Sequence, residues 1–198
     1  MYKAFLFDFD GVLRHWPQGE QTATTEGTDI HHNQVLKTAF NPELLNKAVT
    51  GVISDQQWRD EVRATLSQEF ETEAAALAVA RWSALQGQIC ERMLSLCELL
   101  REKAQVALVT NATSRLRADL RFHQLTHAFD WVFNSSEMGV AKPDRLFFQQ
   151  VLTVMEVEPE QAFLIDDSYA NVRSAELIGI SGFHYSEPDT FSQLQQLL

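Results

Sequence analysis

The hydrophobic positions of the chain follow several patterns in succession. Residues 3–9 form a short apolar run, rich in aromatic side chains, that stops shortly before Gly11 and predicts a buried β-strand. The stretch 14–34 is polar and contains one proline and two glycines, so we predict a loop and linker there. From about 34 to 104 the apolar residues recur at the spacing of an α-helix.

Two helix starts within this region carry capping residues. The Asn-Pro pair at 41–42 places a good N-cap before a proline at the first helical position. Ser54, followed three residues later by Gln57, has the spacing of a capping box. An alanine-rich segment at 73–85 and a further segment at 89–103 follow. We therefore predict about four successive helices with no strand between them.

Several prominent side chains of the helical region are predicted to fill its core. Cys90 and Cys97 fall near one face of a predicted helix, where a disulfide between them is unfavourable. We expect both to be small buried hydrophobic residues. Trp58 and Trp82 are also predicted to be core residues rather than substrate contacts.

From residue 105 onwards, strand and helix patterns alternate. Strands are predicted at 105–110, 130–135, 161–166 and 180–185, with helices at 113–125, 143–155, 168–179 and 189–198. Such alternation is typical of parallel crossover units and a doubly wound sheet. The strand at 3–9 must join the same sheet, because a single strand is not stable alone.

These patterns predict an α/β protein with a doubly wound parallel sheet. The sheet domain would consist of residues 1–15 and 105–198, interrupted by an insertion at 16–104. This insertion would comprise a linker and an all-helical cap that lies over the edge of the sheet.

Charge and hydropathy narrow the classes of partner. The formal net charge of −11 and the pI of about 4.9 argue against nucleic-acid binding, which needs clustered lysine and arginine. No apolar run of about 18 or more residues indicates a membrane span, and the N-terminus lacks the pattern of a signal peptide. We therefore predict a cytoplasmic protein without nucleic-acid or membrane partners. Whether it is a monomer or a homodimer is left open.

Polar residues follow each of the first four predicted strands. In open parallel sheets, ligands bind outside the carboxyl ends of the strands. The residues there are Asp8 and Asp10, Thr110 and Asn111, Ser135 and Lys142, and Asp166 and Asp167. Two carboxylates about 4 Å apart repel by roughly 4 kcal/mol at an effective dielectric of 20, so the group needs a counter-ion. Oxygen ligands beside a phosphate favour Mg²⁺, and the lysine supplies a second positive charge.

Four segments in this order, FDFDGVL, LVTNAT, GVAKPD and FLIDDS, resemble the four motifs of the haloacid dehalogenase superfamily. The helical insertion is similar to the cap of its subclass I. The longer run from LLRE to FLIDDSYANV resembles the phosphatase branch that includes the N-terminal domain of epoxide hydrolases and small sugar-phosphate phosphatases. The resemblance covers essentially the whole chain. It implies a Rossmann-like core and a Mg²⁺-dependent phosphatase acting on a small phosphorylated metabolite such as a sugar phosphate.

The resemblance also implies a role for each catalytic residue. Asp8 would attack phosphorus and form an aspartyl phosphate. Asp10 would protonate the leaving alkoxide and then accept a proton from water. Thr110 and the backbone N–H of Asn111 would bind phosphoryl oxygens, and Lys142 would offset the negative charge.

For the metal, the resemblance implies ligands from the first and fourth motifs. Asp8, Asp166 and the backbone carbonyl of Asp10 would hold Mg²⁺. Asp167 would be a further ligand or the partner of Lys142.

The residues that follow the first motif are candidates for substrate binding. Arg14, His15 and Trp16 come directly after it and could face the substrate from the hinge, alongside Asn111.

Three alternatives to a phosphatase are weighed. Family members that cleave carbon–halogen bonds lack the second acid of the first motif, because a halide leaving group needs no proton; the presence of Asp10 favours phosphoryl transfer. A phosphomutase of the same superfamily would pass the phosphoryl group to a sugar instead of water. The third alternative is a non-catalytic phosphate-binding protein or phospho-switch, such as a response-regulator receiver. Along the chain of a receiver the acid pair comes early and the lysine comes last, whereas here the acid pair Asp166 and Asp167 comes last.

Overall fold

The computed structural model describes residues 2–16, 27–186 and 190–197. Its main sheet has five strands in the order β5-β4-β1-β6-β7, with every neighbouring pair parallel. The strands are β1 (Ala4–Phe7), β4 (Gln105–Thr110), β5 (Trp131–Asn134), β6 (Ala162–Asp166) and β7 (Ser181–His184). The predicted doubly wound α/β fold is confirmed.

Helices precede and separate the later strands. Those before β4 are α1 (His32–Ala39), α2 (Pro42–Val49), α3 (Asp55–Leu66), α4 (Thr72–Ala84) and α5 (Glu91–Arg101). Those after it are α6 (Leu116–Phe122), α7 (Ser135–Met138), α8 (Arg145–Met155), α9 (Tyr169–Glu176) and α10 (Phe191–Leu197), with a 3₁₀ turn at Pro159–Gln161. Two further short strands, β2 (Arg14–His15) and β3 (Gln88–Ile89), pair with each other in antiparallel orientation.

The alternation of side chains along β1 builds a core on each face of the main sheet. Phe5 and Phe7 pack into one buried cluster, and Ala4 and Leu6 pack into the other. Because successive side chains of a strand point to opposite faces, an apolar run covered by helices on both faces has no polar positions. The strands are therefore buried, and the polar residues are confined to the strand ends.

Helices α1 to α4 have a separate core. It includes Ile30, Val35, Trp58, Val62 and Val79. The helix N-capping residues predicted from sequence are present. Asn41 accepts hydrogen bonds at the start of α2, and Ser54 forms a capping box at the start of α3. Helices α1 to α4 together form the inserted helical domain, which is called the cap below.

The helix α5 packs on the sheet and not on the cap. Its buried side chains, Met93, Leu96, Cys97 and Leu100, belong to the same cluster as Phe7. An amphipathic pattern identifies the buried face of a helix but not the surface that covers that face. For this reason the predicted insertion at 16–104 included α5. We propose that the insertion ends instead near residue 87, just before β3.

The paired strands β2 and β3 are a feature that the sequence analysis did not anticipate. Arg14 and His15 fall at the start of the stretch predicted to be a loop and linker, yet they pair with Ile89 and Gln88. Two-residue strands contain too few positions to show a period. The part of the predicted linker at 17–26 lies outside the described residues. Among the described residues, no helix has the length and apolar character needed to cross a membrane.

Candidate active site

The topology places the first and fourth motifs beside each other at the centre of the sheet. The chain moves outward from β1 to β4 and β5, and then returns to form β6 and β7 on the other side of β1. Asp8 follows β1, its backbone N–H donates to Ile165 O at 2.9 Å, and Asp166 ends β6. A reversal of strand order of this kind opens a crevice at the carboxyl ends of the strands, where ligands bind.

The Lys142 ammonium lies between the two carboxylates. Its Nζ is 3.0 Å from Asp8 Oδ1 and 2.6 Å from Asp166 Oδ2, and it donates to Val109 O at 2.9 Å. All of these groups are buried. Burial alone would lower the pKa of Lys142, but the two carboxylates outweigh that effect and raise it. Lys142 is therefore a fixed positive charge at the centre of the site.

Asn111 holds the segment that carries this lysine. Its amide donates to Lys142 O at 2.7 Å and accepts from the Lys142 backbone N–H at 2.8 Å. Ser135 provides further support, because its Oγ accepts from the Ala112 backbone N–H at 3.2 Å. Thr110 is buried at the end of β4, beside Asn111. The side chain of Asn111 thus positions Lys142, and the roles of Thr110 and the Asn111 N–H toward phosphate stay predictions.

Asp8 has a strongly altered acidity. Burial is the largest influence and raises its pKa to about 8, with a further increase from Asp166 and an opposing effect from Lys142. Its Oδ1 also accepts from the Phe9 backbone N–H at 2.7 Å. A carboxylate held in a buried site beside a lysine has the fixed orientation that a nucleophile needs.

Three carboxylates form a group that fits a divalent cation. Oxygen atoms of Asp8, Asp166 and Asp167 all lie within 4.8 Å of one another, with the first two residues buried and the third exposed. A Cβ on Gly11 would lie 2.1 Å from Asp167 Oδ2, and Gly11 has a φ of +83°, so only glycine admits this carboxylate here. Carboxylate oxygens of this number and spacing suit a hard ion such as Mg²⁺.

Asp166 and Asp167 differ in how much of their carboxylate is already engaged. Asp166 Oδ2 accepts from Lys142, and its Oδ1 accepts from the Ser168 N–H and the Asn171 amide, both at 2.9 Å. The structure therefore makes Asp166, and not Asp167, the partner of the lysine. Asp167 is the more open carboxylate of the pair.

Asp10 lies outside the three-carboxylate group and is held by Arg14. The guanidinium donates to Asp10 Oδ1 at 2.7 Å and to Oδ2 at 3.0 Å, and the Trp16 indole N–H donates to Oδ1 at 2.9 Å. Arg14 is buried, lies over the rings of Phe9 and Trp16, and also donates to Asp119 at 2.9 Å. These contacts fix the carboxylate of Asp10 beside the crevice.

A cavity of about 400 Å³ opens next to Asp10, between the cap and the ends of the strands. Arg14 and Asn111 line it as well, whereas His15 is not among its lining residues. Neighbouring residues of a strand point to opposite sides, so Arg14 and His15 could not both face the cavity. The expected substrate contact of His15 is therefore not supported by its position.

Several residues that support the site were missed by the sequence analysis. Asn171 donates to Asp166. Asp119 joins Arg14 to Arg115, which bonds it at 2.8 Å. The four-residue spacing of Arg115 and Asp119 on a helix is a detectable ion-pair signal. The contact of Asp119 with Arg14 has no signal in a single sequence.

Comparison with known proteins agrees with this geometry. Residues 2–179 match the family described as haloacid dehalogenase-like hydrolase. The chain belongs to this family. The family assignment and the hydrolase class predicted from the four motifs are thereby confirmed.

Two curated proteins are similar in sequence to this haloacid dehalogenase-like hydrolase. A sesquiterpene phosphatase of Aspergillus oryzae is 27% identical, over 100% of this chain and 97% of that protein. The haloacid dehalogenase-like hydrolase domain-containing protein 3 of Bos taurus is 30% identical, over 70% of this chain and 59% of that protein.

Solved structures show the same fold. A haloacid dehalogenase family enzyme of Bacteroides thetaiotaomicron, in its magnesium complex, has a TM-score of 0.79 and 23% identity, with 98% of each chain covered. The L-2-haloacid dehalogenase of Xanthobacter autotrophicus has a TM-score of 0.69 and 19% identity, with 100% of this chain and 82% of that chain covered. At these identities the likeness establishes the fold.

Proposed function

We propose that this hydrolase is a Mg²⁺-dependent phosphatase that cleaves a small phosphorylated metabolite through an aspartyl-phosphate intermediate. The observation that carries the proposal is the buried Asp8 carboxylate, held 3.0 Å from Lys142 and next to two further acids. A purely structural aspartate at a strand end has no need of a buried lysine and a carboxylate cluster, because buried charges are destabilising unless they are paired.

In the proposed reaction, an oxygen of Asp8 attacks phosphorus while the bond between phosphorus and the ester oxygen breaks. Asp10 transfers its proton to the departing alkoxide, which leaves as an alcohol. Asp10 then accepts a proton from water as that water attacks the aspartyl phosphate. This second step releases inorganic phosphate and restores the Asp8 carboxylate.

The remaining residues of the site stabilise charge. Lys142 offsets the negative charge of Asp8 and of the incoming phosphate. Thr110 at the end of β4 and the backbone N–H of Asn111, the next residue, would donate to phosphoryl oxygens. Asp8, Asp166 and Asp167, with the Asp10 backbone carbonyl, would hold Mg²⁺, which when bound neutralises charge on the transferring phosphoryl group.

The relatives support phosphate chemistry by what their names state. One is a sesquiterpene phosphatase, and a phosphoserine phosphatase of Thermus thermophilus is 37% identical over 43% of this chain. The Bacteroides enzyme is known in complex with magnesium and inorganic phosphate. We propose a shared reaction on this basis, together with the charge arrangement around Asp8.

The test is hydrolysis of p-nitrophenyl phosphate by the wild type and by Asp8→Asn, with Mg²⁺ or with EDTA. Asparagine has nearly the shape of aspartate but is not a nucleophile toward phosphorus, so we expect activity to be lost in the variant and in EDTA. Asp60→Asn, at an exposed ion pair on α3, is the matched control and should behave as wild type. Turnover by Asp8→Asn at the wild-type rate would overturn the proposal.

A further inference from the structure

The cavity beside Asp10 has a largely apolar wall supplied by the cap. Its volume of about 400 Å³ falls in the range of small-molecule sites, about 300–1,000 Å³. Seven side chains form this wall: Leu36, Phe40, Leu45, Val49, Trp58, Trp82 and Leu85. Five of them lie on the four helices of the cap, and Phe40 and Leu85 directly follow α1 and α4.

Part of this wall does not contribute to the core of the cap. Leu36, Phe40 and Val49 line the cavity but are absent from the apolar cluster of the cap, and 53% of Phe40 is exposed. Leu36 and Val49 are partly exposed, and apolar side chains that stay accessible around one concave surface are typical of a ligand-binding site. Covering them with an apolar ligand would remove them from water.

The polar side chains around the cavity are engaged with each other. Asp55 bonds Arg59 at 2.6 Å and Thr113 at 2.7 Å. Arg115 and Arg14 both bond Asp119. A sugar that carries several hydroxyl groups would have to break these pairs to obtain hydrogen bonds, at a free-energy cost that an apolar group avoids.

The position of Asp10 determines which part of a substrate would lie in the cavity. Asp10 lines the cavity, whereas Asp8 does not. In the proposed reaction Asp10 protonates the ester oxygen, so the carbon skeleton attached to that oxygen starts at Asp10 and extends into the cavity.

We infer that the cavity binds an uncharged, apolar organic group, and that the preferred substrate class is the monophosphate of a hydrophobic alcohol. This inference rests on the proposed phosphatase function and replaces the sugar phosphate expected from sequence. Binding by apolar contact would increase with each buried carbon of the alcohol.

The experiment measures kcat/KM with Mg²⁺ for methyl, butyl, hexyl and octyl phosphate, with glucose 6-phosphate as the polar comparison. Burial of one methylene predicts an increase of about fourfold for each added carbon until the cavity is full. Leu36→Asn should lower kcat/KM for octyl phosphate at least tenfold. Leu77→Asn, on α4 at a leucine that is 39% exposed and outside the cavity, should keep the wild-type dependence on chain length.

Two results would overturn the inference while leaving the phosphatase function intact. One is kcat/KM that changes less than 1.5-fold per carbon, and the other is faster hydrolysis of glucose 6-phosphate than of octyl phosphate. Absence of hydrolysis of every ester, including p-nitrophenyl phosphate, would instead contradict the phosphatase function itself. The wild-type series tests the inference even if Leu36→Asn fails to fold.

Discussion

Replacing Lys142 with methionine should destabilise the protein and remove its activity. The substitution keeps an unbranched side chain of similar length but deletes the ammonium group between the carboxylates of Asp8 and Asp166. Lys47→Met is the matched control, because Lys47 forms an exposed ion pair with Glu43 on the cap.

The size of the effect follows from the spacing of the carboxylates. Oxygen atoms of Asp8 and Asp166 lie within 4.8 Å of each other. Two unit charges at that separation repel by about 3.5 kcal/mol at an effective dielectric of 20, and removal of one partner from a buried ion pair costs about 3–5 kcal/mol. Proton uptake by one carboxyl limits the loss, so we expect about 3 kcal/mol at pH 7. The pair of Lys47 and Glu43 lies in solvent, where an ion pair contributes little to stability.

Urea unfolding in EDTA measures this loss directly. We expect the free energy of unfolding to fall by about 3 kcal/mol for Lys142→Met and to stay close to the wild-type value for Lys47→Met. With Mg²⁺ present, kcat for p-nitrophenyl phosphate should fall at least about 100-fold in Lys142→Met only.

The deficit of Lys142→Met should also depend on pH. Burial already raises the pKa of Asp8 to about 8, and loss of the lysine raises it further. A carboxyl with a raised pKa binds more protons in the folded state than in the unfolded state, so its stability contribution falls as pH rises. In the wild type this fall ends as Asp8 ionises near pH 8, whereas in the variant the carboxyl stays protonated to higher pH, so the deficit should grow between pH 8 and pH 9.5. A deficit below about 1 kcal/mol, or one that is constant over this range, would refute the assigned role of Lys142.

Three further predictions concern other parts of the molecule. Gly11→Ala should weaken Mg²⁺ binding, measured by calorimetry, at least tenfold, because the added Cβ would displace Asp167. Gly139→Ala is the control: Gly139 also has a positive φ, but the space around it is open, so this variant should bind Mg²⁺ as the wild type does. Arg115→Met should raise the hydrogen-exchange rate of backbone amides at the end of α4, because this arginine donates to two backbone carbonyls there. An unchanged exchange rate would show that these two bonds do not hold the end of α4 in place. Cys97 should react with a thiol reagent at pH 8 only after unfolding, because burial raises its pKa; rapid labelling of the native protein at Cys97 would contradict this.

The strands and their polar ends could be predicted from sequence because each carries a local signal. A buried strand such as β6 is an apolar run, and the acids at its end interrupt that run. Parallel topology then brings all strand ends to one edge of the sheet. Asp8, Thr110 and Lys142 could be assigned to one site on this basis, without knowledge of the strand order.

The features that were missed depend on contacts between distant residues. The assignment of Lys142 to Asp166 instead of Asp167 is decided by side-chain direction, which adjacent identical residues do not reveal. The amphipathic pattern of α5 is equally compatible with packing on the cap or on the sheet. The bond from Arg14 to Asp119 spans 105 positions, and no periodicity connects them.

The pairing of β2 with β3 makes the whole cap the loop of a hairpin. Arg14 lies opposite Ile89, so the chain leaves the sheet domain and returns to it at adjacent points. Loop-closure entropy rises by only about 0.6 kcal/mol for each doubling of loop length. The length and sequence of the insertion can therefore vary widely without a redesign of the domain that carries the nucleophile. In engineering terms, the cap is an exchangeable module, and the two short strands mark where it can be cut and replaced.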